Sequence, residues 1–290
     1  MKQTLGDRIF NVINVILLTL FAFLCLFPFI NIIAVSLSDN TAIVSGKVFL
    51  WPVGFNTIAY REVFSDLGMI RSFLFTVGLT VLYTAITLFM TILCAYPLSK
   101  KYLKGRTVFL LLITFTMYFT SGMIPQYLLV SNLNLLNTIW ALILPGAVNT
   151  FNMIVMKSFF TSIPTSLEES ASLDGAGHLR ILFSIVLPLS MPIIATISLF
   201  YAVGRWNGFS DALYYINDPK MFPLQLKLRQ LISLNNVEQM MTDLQDAEDM
   251  VVPEQLKSAS IMFATVPILV VYPWLQKYFV KGMMVGSIKG

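Results

Sequence analysis

Five charge-free stretches decide what this 290-residue chain can become. Ile9–Ser38 runs 30 residues without Asp, Glu, Lys or Arg, Ser72–Ser99 runs 28, and Thr107–Met156 runs 50. Ile181–Gly204 adds 24 and Ser258–Gln276 adds 19. A bilayer-spanning helix takes roughly 20 apolar residues, so the 50-residue run must cross twice. Its turn falls at the polar segment Ser131–Thr138. A charge at mid-membrane costs about 2.5–3.5 kcal/mol on insertion scales, which makes such clean runs hard to ascribe to chance. With 57% hydrophobic and 12% charged residues, the chain is too apolar for a soluble domain. The expected fold is an all-α polytopic membrane protein with six transmembrane helices, near 10–37, 71–98, 107–130, 138–160, 188–206 and 256–277. Residues 1–290 form one transmembrane domain, without repeats or a separate soluble unit.

Lys and Arg orient the spans. Eleven of the 19 fall on one set of flanks, among them Lys100, Lys101, Lys104, Arg106, Lys157 and Arg180. That set covers about 60 residues, whereas the other eight spread over about 95, so the richer side faces the cytoplasm. Both termini are therefore expected inside, with segment 161–187 a cytoplasmic loop and 207–255 an external one. The first apolar run exceeds the 7–15 residues of a signal-peptide core and no A-x-A site closes it, so it is read as a retained helix. Cys25 and Cys94 fall inside predicted spans and are read as buried packing residues. Pro28, Pro97, Pro125, Pro145, Pro192, Pro267 and Pro273 are expected to interrupt the spans, a pattern suited to a pathway.

The most organised polar segment is Pro164–Arg180. Ser166 and Glu169 have capping-box spacing, and Gly175 supplies the positive φ that ends a short helix. Leu179, Leu182, Phe183 and Val186 then form the apolar face of a second short run, and Pro188 opens the next membrane helix. Two short helices joined at a glycine on the membrane surface make a docking element, more structured than a connector needs to be.

Catalytic chemistry finds little support. His178 is the one histidine, no ligand set surrounds it, and no metal site is expected. Gly175-Ala-Gly177 lacks the G-x-x-x-x-G-K-[ST] phosphate loop, so the chain should bind no ATP or other cofactor itself. Charges are nearly absent from the spans, which argues against a proton- or sodium-coupled secondary carrier. No paired nucleophile and base suggests an intramembrane enzyme. Trp206, Asn207, Asp211, Tyr214 and Tyr215 cluster at the outer end of the fifth span. Either they form an interfacial aromatic belt or a sugar-handling patch, with ring faces against pyranose C–H groups. Ser121, Thr120, Asn149 and Asn152 are in-span polar residues, read as pathway groups or as interhelical glue. The acidic cluster Asp243–Asp249 is read as a solvated helix face, with docking of a soluble partner as the alternative.

At the Pro164–Pro188 loop the chain resembles membrane-spanning permeases of ABC importers. Their signature E-A-A-x-x-x-G, followed by I-x-L-P, is matched by Glu169-Ser-Ala171-Ser-Leu-Asp174-Gly175 and Ile185-Val-Leu187-Pro188, with Ser170 departing from the first Ala. The Asp174-Gly175-Ala176 form is similar to the carbohydrate-uptake branch. Phe27-Pro28-Phe29, Ser121–Pro125, Asn137-Thr138, Leu144-Pro145 and Trp206-Asn207 extend the likeness over most of residues 10–280. The Ser121–Pro125 and Asn137–Pro145 segments look most like oligosaccharide and polysaccharide importers, including the alginate type.

The resemblance implies the ABC importer permease fold and a bacterial cytoplasmic (inner) membrane location. It implies that Glu168, Glu169, Ala171, Asp174 and Gly175 form the coupling helix and its turn, tied to the fifth span by Leu187 and Pro188. The implied partners are a second, homologous permease, two ATPase subunits that use ATP and Mg, and an external solute-binding protein that delivers the sugar. Permeases for other solutes and a self-sufficient carrier are the alternatives.

Overall fold

The computed structural model describes residues 5–119, 121–241 and 252–287, all helix, turn and loop with no strand among them. Thr120 and the acidic cluster Asp243–Asp249 lie outside the described residues. Along the chain run α1 (Leu5–Ser36), α2 (Asn40–Val44), α3 (Ile58–Ser65), α4 (Leu67–Ser99), α5 (Arg106–Tyr118) and α6 (Met123–Asn132). Two 3₁₀ turns, Ile139–Leu142 and Leu144–Gly146, precede α7 (Thr150–Ser162) and α8 (Thr165–Leu173). Then come α9 (His178–Ile181), a π turn (Leu182–Val186), α10 (Leu187–Leu189), α11 (Met191–Asn207) and α12 (Ser210–Tyr215). A 3₁₀ turn at Pro219–Met221 leads to α13 (Leu224–Met241) and α14 (Pro253–Ser287).

Three helical stretches are long and apolar enough to cross a bilayer alone: Gly6–Ser36, Leu67–Ser99 and Pro253–Val271. Three bent pairs pass the same test together, giving up to six if each pair is one span. The prolines sort into two kinds. Pro28, Pro97, Pro267 and Pro273 sit within continuous helices, against expectation, whereas Pro125, Pro145 and Pro192 lie at the bent pairs. In the region of the fifth predicted span, α11 starts three residues after 188. Pro188 opens only the three-residue α10, and Pro192 opens α11 after an 83° bend. A proline ring clashes with the carbonyl four residues back, so a helix cannot run straight through both. The loop expected over 207–255 holds helices of its own, α12 and the start of α13, which bury Ala212, Leu224 and Leu226.

The chain divides into two compact units. The first comprises Met1–Ile70 and Leu228–Val266. Here α1 leaves its apolar window unburied by the rest of the chain, as a lipid-facing or partner-facing helix must; Cys25 on it is exposed, not buried as expected. The loop after α1 is tied down by polar groups. Ser38 Oγ donates to Ala34 O and accepts from Val53 N at 3.0 Å, while Gln255 Nε2 donates to Ser38 O and Asn56 Oδ1. Thr41 donates to Asp39 and holds its carboxyl below the usual range. Gly54 closes this loop at φ +66, where a Cβ would stand 2.7 Å from Asp39 Cβ.

The second unit comprises Arg71–Lys227 and Pro267–Gly290. Its main core joins α4 (Ile92, Ala95, Tyr96), α7 (Met153, Met156, Phe160), the π turn (Leu182, Val186) and α11 (Ile193, Ile197, Tyr201). A second cluster packs Leu79 and Ile143 against Ala212, Ile216 and Leu226. The polar hairpin at Ser131–Thr138 is pinned by Asn137, in the left-handed region at φ +58, whose Oδ1 accepts from Asn217 N and Asp218 N.

Gly54→Val should lower the thermal midpoint in detergent by several degrees, since a left-handed L-residue costs about 1–2 kcal/mol before the clash with Asp39 is counted. An unchanged midpoint would contradict the reading of that loop.

Candidate functional site

The segment from Ile163 to Ser190 begins with a correction. Helix α8 starts at Thr165 with Pro164 as its cap residue, and no side chain caps it. Ser166 therefore lies within the first turn instead of ahead of it, and the predicted capping box is not made. Two other features order α8. Glu168 sits in the first turn, where the helix dipole favours a carboxylate, and Lys100 Nζ reaches both its oxygens at 2.5 Å. At the other end Gly175 adopts φ +80, as the glycine spacing predicts. Gly175 N donates to Ser172 O and Ala176 N to Ala171 O, the paired bonds of a Schellman turn. Ala171 and Ala176 both pack on the main core of the unit, so the turn also anchors the helix.

The second short run buries two of its four predicted positions, Leu182 and Val186, and adds Ile181. Ile181, Leu182 and Val186 are buried, whereas Leu179 and Phe183 are exposed. Leu179 and Ile181 both precede the π turn over Leu182–Val186, whose wider winding departs from the α-helical period within the run. His178 is exposed, with its ring stacked on Tyr102 at 6.2 Å and its carbonyl accepting from Tyr96 Oη at 3.5 Å. Leu187 is half-buried against the core, and Pro188 is exposed beside the bend. Glu169, Asp174 and Gly175 are exposed, and Leu173 is 90% exposed at the end of α8. An apolar knob and carboxylates on one short, doubly anchored helix make a surface that a soluble partner can grip. A cleft of about 570 Å³ runs alongside it, lined by Lys100, Tyr102, Phe160, Glu168, Glu169 and His178.

A second site is a cavity of about 610 Å³ at the helix breaks, lined by Tyr83 on α4, Thr116 on α5, Gly146, Asn149 and Asn152 around the start of α7, and Tyr201 and Arg205 on α11. Asn149 caps α7 by accepting from Asn152 N at 3.0 Å. Its own amide donates to Tyr201 Oη at 3.3 Å, and that hydroxyl shares a 2.6 Å bond with Thr91. Tyr83 Oη donates to Gly146 O at 3.2 Å, and its ring stands edge-on to Tyr201. The Arg205 guanidinium lies over the Tyr83 ring, 5.7 Å from its centroid. It is 6% exposed and forms an ion pair with Asp211, while also donating to Leu142 O and Gly208 O. Aromatic faces, amides, hydroxyls and a fixed cation meet here within otherwise apolar helices.

The sequence-predicted cluster around Trp206 is taken apart. Trp206 packs edge-on against Phe73 and lines a separate apolar cavity of about 330 Å³. Asn207 donates back to Val203 O, and Tyr214 is exposed. Tyr215 is buried and stacked on Tyr127; burial pushes its phenol pKa up. Ser121 is exposed and donates to Gly122 O. Asn149 and Asn152 do line the polar cavity, and Asp211 bears on it through Arg205. Sequence reasoning missed Tyr83, Tyr201, Arg205 and Lys100. A signal was present: Ser72, Thr76, Thr80, Thr84, Thr87 and Thr91 fall on one face of α4 at steps of three and four, marking its polar side.

A family model described as the binding-protein-dependent transport system inner membrane component matches residues 1–285. The chain belongs to that family. Protein LplC of Bacillus subtilis (strain 168) is 46% identical over 291 residues, covering 100% of this chain and 98% of that protein. The polygalacturonan/rhamnogalacturonan transport system permease protein YtcP of the same strain is also 46% identical, over 98% of this chain and 99% of its own length. Among solved structures, a bacterial ABC transporter involved in the import of the acidic polysaccharide alginate contains a chain 36% identical to this one. The two superpose with TM-score 0.87 over 96% of this chain and 99% of that one. The permease fold, all-helical and multi-pass, is thereby established.

In the permease, Gly146→Ala would place a Cβ 2.6 Å from Tyr83 Oη. We expect uptake by the assembled transporter to fall several-fold while the amount of chain in the membrane stays unchanged. Wild-type uptake would show that the polar cavity tolerates displacement of Tyr83.

Proposed function

We propose that this chain is one of two permease subunits of an ATP-driven importer for sugar oligomers, with acidic oligosaccharides and polysaccharides as the favoured class. It spans the inner membrane six times with both termini in the cytoplasm. The polar cavity beside α7 and α11 is its half of the translocation path. A second, related permease supplies the other half, an external binding protein delivers the sugar, and of two ATPase subunits holding ATP and Mg one grips α8. The observation that carries the reading is the cavity itself: Tyr83, Tyr201, Asn149, Asn152 and Arg205 gather ring faces, hydrogen-bonding groups and a cation around one open space. Ring faces suit pyranose C–H surfaces, and amides and hydroxyls suit sugar hydroxyls. The acidic class is supported by the polygalacturonan/rhamnogalacturonan for which YtcP is named and by the acidic polysaccharide of the alginate importer.

In this reading the chain does no chemistry. Closure of the ATPase dimer moves α8, and the permease switches between inward- and outward-facing states by rigid-body motion. Glu169, Ala171, Asp174, Gly175, Leu187 and Pro188 form the coupling element, and Leu173 is the apolar contact at its tip. Gly175 has open space where a Cβ would stand, so Gly175→Val strains only the backbone at the turn.

The full transporter in proteoliposomes tests this. Uptake of labelled galacturonate oligomers should require ATP and no ion gradient. Glu169→Ala should reduce co-purification of the ATPase, and Gly175→Val should lower uptake about tenfold with insertion intact. Wild-type uptake in both variants, or uptake driven by an ion gradient alone, would overturn the proposal.

A further inference from the structure

Glu168 does not stand with its neighbour Glu169 on the exposed face of α8. Its side chain is 17% exposed, and both of its oxygens take the ammonium of Lys100, whose side chain is 10% exposed. Lys100 directly follows the last residue of α4, and its ammonium also lies over the Tyr96 ring, 4.4 Å from the centroid. Tyr96 is buried, stands edge-on to Phe160 of α7, and donates to the carbonyl of His178 on α9. Arg106 Nε donates to Leu98 O, and Ser99 Oγ to Tyr96 O, so the carbonyls at this end of α4 are held too. One cation thus joins the first turn of α8 to the end of α4. The same α4 carries Tyr83 into the polar cavity, 17 residues and roughly 25 Å away along a helix.

We propose that the Lys100–Glu168 pair is the joint that transmits movement of α8 to α4 and thence to Tyr83 at the cavity, with Lys100 as a positioning residue. The proposal rests on the reading that an ATPase grips α8. Glu168 then acts inward, on the permease's own helix, while Glu169, Asp174 and Leu173 act outward on the partner. The direction of each side chain supports this split. A short helix held only by its Schellman turn could pivot at Gly175 when pushed; a second attachment at its first turn makes it move α4 with it.

The test uses the assembled transporter in proteoliposomes, reading ATPase attachment, ATP hydrolysis and sugar uptake separately. Lys100→Met and Lys100→Glu should keep the ATPase attached and hydrolysing, while sugar moved per ATP falls about tenfold. The double exchange Lys100→Glu with Glu168→Lys should recover most of the coupling, which general loosening of the fold would not allow. Wild-type coupling in Lys100→Met overturns the proposal. So does a well-folded double exchange no better than the single variants. Where the single variants fail to fold, a double exchange that folds and couples supports the joint, and one that also fails to fold assigns the pair a purely structural role and overturns it. Glu169→Ala serves as the control for the underlying reading: undiminished ATPase attachment there defeats the docking assignment whatever Lys100 does.

Discussion

A bilayer offers no water to a backbone group released by a helix break, so each such group must find its partner within the protein. This constraint organises the second unit. The chain breaks around Gly146, at Ser190 and after Asn207; side chains from other helices meet the first, and Arg205 of α11 itself meets the last. Tyr83 accepts the task at Gly146 O, Tyr201 at Asn149 N, and Arg205 at Leu142 O and Gly208 O. An unpaired buried backbone group costs several kcal/mol in hydrocarbon, so these are structural obligations first. The residues that meet them also line the polar cavity, so the proposed path would be built from the repairs of its own walls.

Two anchors of different chemistry then make the α8 segment suitable as a lever. The Schellman turn at Gly175 satisfies backbone carbonyls and tucks Ala171 and Ala176 into the core. The Glu168–Lys100 pair works through charge in a partly dry setting, where removing one partner leaves the other stranded at a cost of about 3–5 kcal/mol. Together they leave Glu169, Leu173 and Asp174 facing outward on a helix that cannot easily turn under load. Coupling of remote motion to a binding site needs this kind of stiffness, because a deformable loop would dissipate it.

The sequence shows the spans because lipid imposes a blunt rule: charge is excluded for about 20 residues at a time. It shows Gly175 because a left-handed turn selects glycine locally. What it hides depends on partners far along the chain. Pro164 rather than Ser166 starts α8, and no local spacing distinguishes the two. Around the π turn at Leu182–Val186, Leu182 and Val186 keep their expected burial, while Ile181 takes the buried place expected for Leu179 and Phe183, an effect of packing against α4 and α7. Lys100 and Arg205 each border a charge-free run and so looked like boundary residues; only the tertiary fold brings them to Glu168 and Asp211. The Trp206 group looked like one patch because its members are close in sequence, yet helix geometry sends Trp206 and Tyr215 to different neighbours.

On the proposed function, α8 is held by a separate ATPase through its exposed face. Placing a photo-crosslinking residue at Leu173, which is 90% exposed, tests this directly in the native membrane. The expected result is a crosslink to the ATPase subunit, strengthened or weakened by nucleotide as the grip changes. Crosslinks to lipid alone, in membranes where the transporter is assembled and active, would contradict it.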